Sequence, residues 1–569
     1  MNWLDYSVIG VYLVVFLAMG YLFKENKNSE DYFLGGKSMG WFPLSLSTMA
    51  TQLSAISFIS APAFVGLKDG GGMKWLTFEF GVPLAMIGIM FFIIPPLYKS
   101  GVVSIYEYLE KRFSPSTRKL ISVVFQISRA LGTGVMVFTM ALIIQAVVGI
   151  SFHWTLLIIS VVTLVYSYQG GMKAVVWGDA IQMIILFLGL IICLIVGYSM
   201  LKDTGDFTGF SQDRLQVMDF SNLGFFSGEE YGFWPMLLGG LFLYLSYYGT
   251  DQTQAQRLLS AKNEGTIKKL LMANGLLRFP VVLVYCIMGL IIGYLVSNIP
   301  EFYTSIEETT RIHYPGEFAK NGIKPDLMIP VFITKYLPNG LIGVLMIGIM
   351  SAAMSSLSST INSLSAVTIE DFFNNKKEKM SEKKYMFISK SLVIFWGTVC
   401  ILAAYLFGNS ESTVIELINA ISSLFYGPIL AAFVIAIFFK KVNHIGMNAA
   451  IISSVAINLI FKYLPELTYF LDQGSFYSGN LSIHKALAEI GIHNVLDLFW
   501  IWYNLTGFVI AIVIAVLATK LTSSIPAKQL TIKYHVDKKS LFGKETIVLL
   551  SFFVVIMLLS YFLPSIISG

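Results

Sequence analysis

Apolar runs of about eighteen residues or more recur from one end of this chain to the other, each long enough to cross a bilayer as a helix. That feature restricts the fold more than any other. Of the 569 residues, 56% are hydrophobic and only 13% are charged, and the mean hydropathy is +0.71. Soluble domains carry about 25% charged residues, so most of this chain faces lipid. The three cysteines, Cys193, Cys286 and Cys400, lie inside apolar runs and suggest no disulfide framework. The six histidines are scattered, and no Cys/His group has metal-ligand spacing. The start, "MNWLDYSVIG", lacks a basic segment and a cleavage site, so it reads as a retained helix.

The runs place fourteen membrane helices near 4–22, 42–66, 75–98, 120–149, 153–169, 175–200, 232–250, 271–296, 339–368, 386–407, 413–438, 444–463, 497–519 and 546–566. Loop charges orient them. With the N-terminus outside, the inner loops hold 26 of the 39 Lys and Arg residues and the outer segments hold 10. Arg112, Arg118 and Arg257 count among the inner-loop charges, while Arg129, Arg278 and Lys390 fall within spans. The bias puts both termini outside. It also accounts for the net charge of +5 without a nucleic-acid partner. Long outer segments near 201–231, 299–328 and 465–495 show no soluble domain.

Polar residues stand where lipid disfavours them. "MSAAMSSLSSTINSLSA", from Met350 to Ala366, continues an apolar run. At about 100° per residue, Ala352, Ser355, Ser356, Ser358 and Ser359 share one half of that helix. Small residues let helices pack closely, and Ser356 and Thr360 could bond back to the preceding turn. Four clustered hydroxyls also suit a hard monovalent cation such as Na⁺. A second stretch, "SLSTMATQLSAISFISAPAF" from Ser45 to Phe64, carries Thr51, Gln52, Ser54, Ser57 and Pro62. It is either a polar continuous helix or one broken where it lines a cavity, with carbonyls freed to hold an ion. A third, "FLYLSYYGTDQTQAQR" from Phe242 to Arg257, sets Tyr244, Ser246, Tyr247 and Tyr248 before a glycine; an aromatic interface belt is the plainer account. Asp179, Arg129, Arg278 and Glu79 are charges within or near spans. Each is a functional candidate, or a snorkelling or paired charge.

Together these pieces resemble the sodium–solute symporter family, which includes sodium–sugar, sodium–sialic acid and sodium–monocarboxylate transporters. "SGVVSIYEYLEKRF" (100–113), "QGGMKAVVWGDAIQ" (169–182), "GTDQTQAQRLLSAK" (249–262) and "MSSLSSTINSLSAVTIEDFF" (354–373) carry the resemblance in that order. It implies an all-α polytopic fold with two inverted, LeuT-like five-helix repeats, the first helix of each broken at mid-membrane. Here 1–569 would be one transport domain, with repeats at about 42–200 and 232–438, one helix before (4–22) and three after (444–566). By motif match, a common Na⁺ site would use the carbonyls of Ala50, Leu53 and Ala352 and the hydroxyls of Ser355 and Ser356. A second site would use Asp179, Ser355, Ser358 and Ser359.

The resemblance divides over substrate. Positions matching the sugar transporters are Ser57, Glu79, Tyr244, Tyr247, Arg278 and Asn419, of which only Glu79 and Tyr247 carry the residue typical of sugar binders. Arg129 stands where sialic acid transporters have a carboxylate-binding arginine, with Gln52, Ser54 and Ser57 lining the same pocket. The implied function is Na⁺-coupled import of a small polar solute across the cell membrane, foremost a sugar or sugar acid. Another small carboxylate, or a vitamin-like or inositol-like solute, is the alternative. A membrane enzyme would need a nucleophile–base set or metal ligands at depth, and no such motif is present. A transporter-like receptor or a plain channel are the other classes.

Overall fold

A computed structural model describes residues 1–23, 28–53, 55–204, 212–221, 223–225, 231–373, 380–405, 413–473, 498–522 and 541–567. Among these the chain is helical throughout and no β-strand forms. In hydrocarbon a helix satisfies its own backbone polar groups, so long apolar runs become long helices. Eleven helices are long and apolar enough to cross a membrane, and a bent pair makes twelve. The sequence reading expects fourteen. Two features account for the difference. The runs at 153–169 and 175–200 form one element, Phe152–Thr204, interrupted at Gly171 with φ 54° and ψ −149°. Phe233–Thr250 is the other, a helix whose tyrosines, serine and proline dilute its apolar content. Gly171 must be glycine twice over: its φ is left-handed, and a Cβ there would stand 2.6 Å from the Tyr32 carbonyl oxygen.

Two breaks position everything that follows. The first lies between Trp41–Gln52 and Ala55–Gly66; across it Trp41–Gln52 and Ile56–Gly66 meet at 52°. Leu53, at φ −82° and ψ 70°, leaves the helical path. The second lies at Asp251 (φ −91°, ψ 126°), between Phe233–Thr250 and Gln252–Leu259. Asp251 caps the helix after it, its Oδ1 accepting from the Thr253 N–H at 2.8 Å. Each break thus falls in a helix the sequence singles out as anomalous.

The serine helix, Leu341–Thr368, runs between these broken helices and is buried along almost its whole length. It packs on Phe152–Thr204, Pro115–Val148 and both halves of the first broken helix. The terminal helix Trp3–Leu22 supports it from outside the bundle. Asp5 Oδ1 accepts from the N–H groups of Gly340 (2.7 Å) and Gly343 (2.9 Å), capping the serine helix. Ser351 donates to the Tyr12 hydroxyl at 2.6 Å. The second half of the first broken helix, Ala55–Gly66, lies backbone to backbone on Glu264–Asn298. A Cβ on Gly293 would sit 2.6 Å from Gly66 Cα, and one on Gly289 would sit 2.6 Å from the Pro62 carbonyl oxygen.

Three arginines that the charge count places in inner loops are instead buried. Arg112 donates to the carbonyls of Phe439 (2.9 Å), Lys440 (3.1 Å) and Val442 (3.2 Å), closing the end of Val414–Phe438. Arg118 pairs with Asp371 (2.6 Å) and Glu110 (2.6 Å), where the serine helix widens into a π-type turn at Ile369–Phe373. Arg257 is taken up below. The count treats every basic residue between spans as solvated, but orphan helix-end carbonyls and buried acids recruit these three. The outer segment near 299–328 is also structured, forming Pro300–His313 and Pro315–Asn321. Most of the segment near 465–495, and part of that near 201–231, lies outside the described residues.

The glycine contact gives a direct test. Gly293→Val forces the two backbones apart and should destabilise the protein by about 1–3 kcal/mol, seen as a lower unfolding temperature in detergent. Gly10→Ala, inside the helix Trp3–Leu22 where nothing stands within 4 Å of the added Cβ, should not lower that temperature.

Candidate functional site

The sequence-predicted residues converge between the two breaks, the serine helix and Val414–Phe438. A cavity of about 110 Å³ is lined there by Thr51 and Gln52 of the first break, Arg129, Tyr247, Ser356 and Asn419 among others. A neighbouring cavity of about 80 Å³ is lined by Ser57, Glu79, Tyr244, Arg278 and Tyr285. The two share Gln52, Ile56, Ile418 and Asn419. Ser54 lies outside the described residues.

Of the residues expected to hold a cation, Ser356 lines the first cavity and Leu53 the second. The break frees the last carbonyls of Trp41–Gln52 from intrahelical bonding; the Thr51 carbonyl is taken by the Tyr247 hydroxyl at 3.2 Å. Ala50, Leu53 and Ala352 are all buried. The Ser356 hydroxyl is buried with no hydrogen-bond partner among the described residues. An unmet buried hydroxyl costs about 1–3 kcal/mol, so its oxygen beside a helix break suits a cation that arrives from solution. The back-bonding considered for Ser356 and Thr360 occurs elsewhere on this helix. Ser358 donates to the Ser355 carbonyl (2.9 Å), Ser363 to Thr360 (2.9 Å) and Ser365 to Ile361 (2.7 Å).

Asp179 is fully buried and held by four groups. Ser355 donates to Oδ1 at 2.6 Å; Ser47 (2.6 Å), Ser359 (3.4 Å) and Arg257 (2.7 Å) donate to Oδ2. Ser358 points instead to its own helix. Arg257 also donates to Ser47 at 2.7 Å, to Ser359 and to the Thr253 carbonyl. Its guanidinium therefore occupies the neighbourhood where a second Na⁺ would sit. The sequence reading places Arg257 in a loop and so misses this pair. The available signal is physical: Asp179 is fully out of solvent, and a buried charge must find a counter-charge.

The two remaining arginines are paired as well. Arg129 binds Asp251 Oδ2 through Nε (2.6 Å) and Nη2 (2.5 Å), and Nη2 also meets the Tyr426 hydroxyl. It stacks near the rings of Tyr247 and Tyr426, at 4.9 Å and 5.3 Å. These bonds use one edge of the guanidinium and leave Nη1 without a bond among the described residues. In the second cavity Arg278 binds Glu79 Oε2 at 2.9 Å and Oε1 at 3.3 Å, and Tyr244 donates to Glu79 Oε1 at 2.9 Å. Arg278 Nη1, the Tyr285 hydroxyl and Gln52 Oε1 are buried without a hydrogen bond of ordinary geometry.

Comparison with known proteins follows this geometry. The model of the sodium:solute symporter family matches residues 32–453. The human sodium/iodide cotransporter is 28% identical over 463 residues, covering 80% of this chain and 69% of its own length. Sodium-coupled monocarboxylate transporter 1 of Xenopus laevis is 30% identical over 466 residues, covering 80% and 71%. A Na⁺-coupled sialic acid symporter in a substrate-bound, outward-open state superposes with a TM-score of 0.72 at 22% identity, covering 93% of this chain and 100% of that one. These relatives are transporters, not enzymes.

The Arg257–Asp179 contact is testable by itself. Arg257→Gln strands a buried carboxylate and should cost about 3–5 kcal/mol. Adding Asp179→Asn should recover part of that loss, giving a coupling of about 1–3 kcal/mol in a double-mutant cycle of unfolding in detergent. Additive losses would deny the pair.

Proposed function

The chain belongs to the sodium:solute symporter family, and from that premise we propose that it imports a small organic anion in symport with Na⁺, its coupling ion. One observation carries the anion: Arg129, with Nη1 as its remaining donor, lines the same cavity as the unpartnered Ser356 hydroxyl. A guanidinium N–H makes a charge-assisted hydrogen bond to a carboxylate, and a cation held at Ser356 would add positive charge beside it. The relatives support the reading, since iodide, monocarboxylate and sialic acid are all anionic.

In this reading the common Na⁺ site consists of the Ala50, Leu53 and Ala352 carbonyls with Ser355 and Ser356. The solute lies against Arg129, Gln52, Ser57, Tyr247 and Asn419. A sugar acid and another small carboxylate both fit that description. A neutral sugar is the second reading. It is favoured by Glu79, whose carboxylate lines the adjoining cavity with Tyr244 and Arg278. A second Na⁺ at Asp179, Ser355, Ser358 and Ser359 would share Asp179 and Ser359 with Arg257. The architecture proposed with this function keeps fourteen spans, dividing Phe152–Thr204 at Gly171 and including Phe233–Thr250. It keeps two inverted repeats at about 42–200 and 232–438 within one domain, and both termini outside the cell membrane.

Na⁺ held between the first break and the serine helix ties the two together and makes the Arg129 cavity more positive. Cation and anion then raise each other's affinity by the same factor. Ser356→Ala should raise the Na⁺ concentration for half-maximal uptake by about five- to tenfold, the loss of one ligating oxygen. Unchanged Na⁺ dependence in a folded Ser356→Ala protein would remove this assignment. If Asp179 holds a second ion, the wild-type Hill coefficient for Na⁺ should approach two and Asp179→Asn should lower it towards one. A wild-type coefficient of one, with one Na⁺ carried per solute, would exclude that site.

A further inference from the structure

The two cavities differ in how their charges balance, and that difference specifies the solute more closely. In the first, Arg129 is matched by Asp251 alone. Na⁺ at Ser356, which lines this cavity, would leave one positive charge without a counter-charge. In the second, Arg278 is matched by Glu79, and of the proposed Na⁺ ligands only Leu53 borders it while both hydroxyls lie elsewhere. Its own side-chain charges balance without Na⁺, yet it keeps two buried donors without a hydrogen bond of ordinary geometry, Arg278 Nη1 and the Tyr285 hydroxyl. Between the two stand Ile56 and Ile418, apolar residues that line both, flanked by the carboxamides of Gln52 and Asn419.

We infer that the solute is a two-headed monoanion. Its carboxylate lies in the Arg129 cavity, an apolar waist passes between Ile56 and Ile418, and a neutral hydrogen-bond acceptor, such as a hydroxyl or carbonyl oxygen, reaches Arg278 and Tyr285. A halide or a two-carbon acid satisfies only the first cavity. A fully neutral polar solute satisfies the second but leaves the Na⁺-loaded first cavity with an uncompensated charge, which a low-dielectric site penalises. Specificity then comes chiefly from the second cavity, because a site with buried donors discriminates strongly against analogues that cannot pair them. Coupling to Na⁺ comes from the first.

This inference rests on the Na⁺ site proposed above, and the experiment separates the two. Purified full-length protein is titrated, with and without Na⁺, with ω-hydroxy acids of graded chain length, the matching acids without the hydroxyl, the matching ω-hydroxy amides, acetate and iodide. At the best length the hydroxy acid should bind about tenfold more tightly than the plain acid, the scale of one hydrogen bond to a charged group. Na⁺ should strengthen binding of both acids and leave the amide unchanged. Arg278→Met, and the milder Tyr285→Phe should the first fail to fold, should erase or reduce the advantage of the hydroxy acid while preserving the Na⁺ effect. Acetate or iodide binding as tightly as the best hydroxy acid would overturn the two-headed solute. So would equal loss of both acids in Tyr285→Phe. If Na⁺ strengthens none of the ligands, and Ser356→Ala also leaves Na⁺ dependence unchanged, the Na⁺ site has failed and the charge argument falls with it.

Discussion

A charge inside a bilayer is tolerated only with a counter-charge or water, and this structure is organised around that constraint. Arg129 with Asp251, Arg257 with Asp179, Arg278 with Glu79 and Arg118 with Asp371 each join two different helices. Two of the four originate in the second broken helix: Asp251 is the break itself, and Arg257 lies one and a half turns beyond it. The break is therefore held by charge at the turn and in the segment that follows it. Replacing any one partner strands the other in low dielectric, whereas a binding event that supplies a new charge can rebalance them.

The first break is arranged differently. No charged residue of its own lies at the turn. It is held by close packing of its second half, through Gly66, on Gly289 and Gly293, and by the Tyr247 hydroxyl on the Thr51 carbonyl. Its freed carbonyls and the unmet Ser356 hydroxyl are the partial charges that a monovalent cation would complete. In the proposed function one broken helix contributes dipoles for a cation and the other contributes paired charges near the solute. The serine helix lies between them, capped from outside the core by Asp5.

Much of this was legible in the sequence. The apolar runs mark the helices, and polar residues inside apolar runs single out three of them, of which two break and the serine helix stays continuous. Gly171 falls in the gap between the runs at 153–169 and 175–200, but that this one glycine interrupts a single helical element rather than opening a loop was not legible. Partner choice was not legible either. Glu79, Arg129, Asp179 and Arg278 stand out singly, but which of them pair, and with which loop-like residue, depends on helix crossings that no local pattern encodes. Arg257 and Asp251 sit in a polar stretch typical of a loop, and only the fold turns that stretch into a buried helix. Ser355 is a partial exception: the resemblance groups it both with Ser356 and with Asp179, and the structure turns its hydroxyl to Asp179.

The central claim is that the paired charges and the unmet oxygens between the two breaks couple one organic anion to Na⁺. Solute accumulation in proteoliposomes under an imposed inward Na⁺ gradient tests it most directly, with K⁺ replacing Na⁺ as the control. The account predicts that an organic anion accumulates above its external concentration in Na⁺, carries net positive charge inward if more than one Na⁺ accompanies it, and only equilibrates or stays out in K⁺. Accumulation that persists undiminished in K⁺, or a neutral sugar accumulating where every organic anion fails, would contradict it.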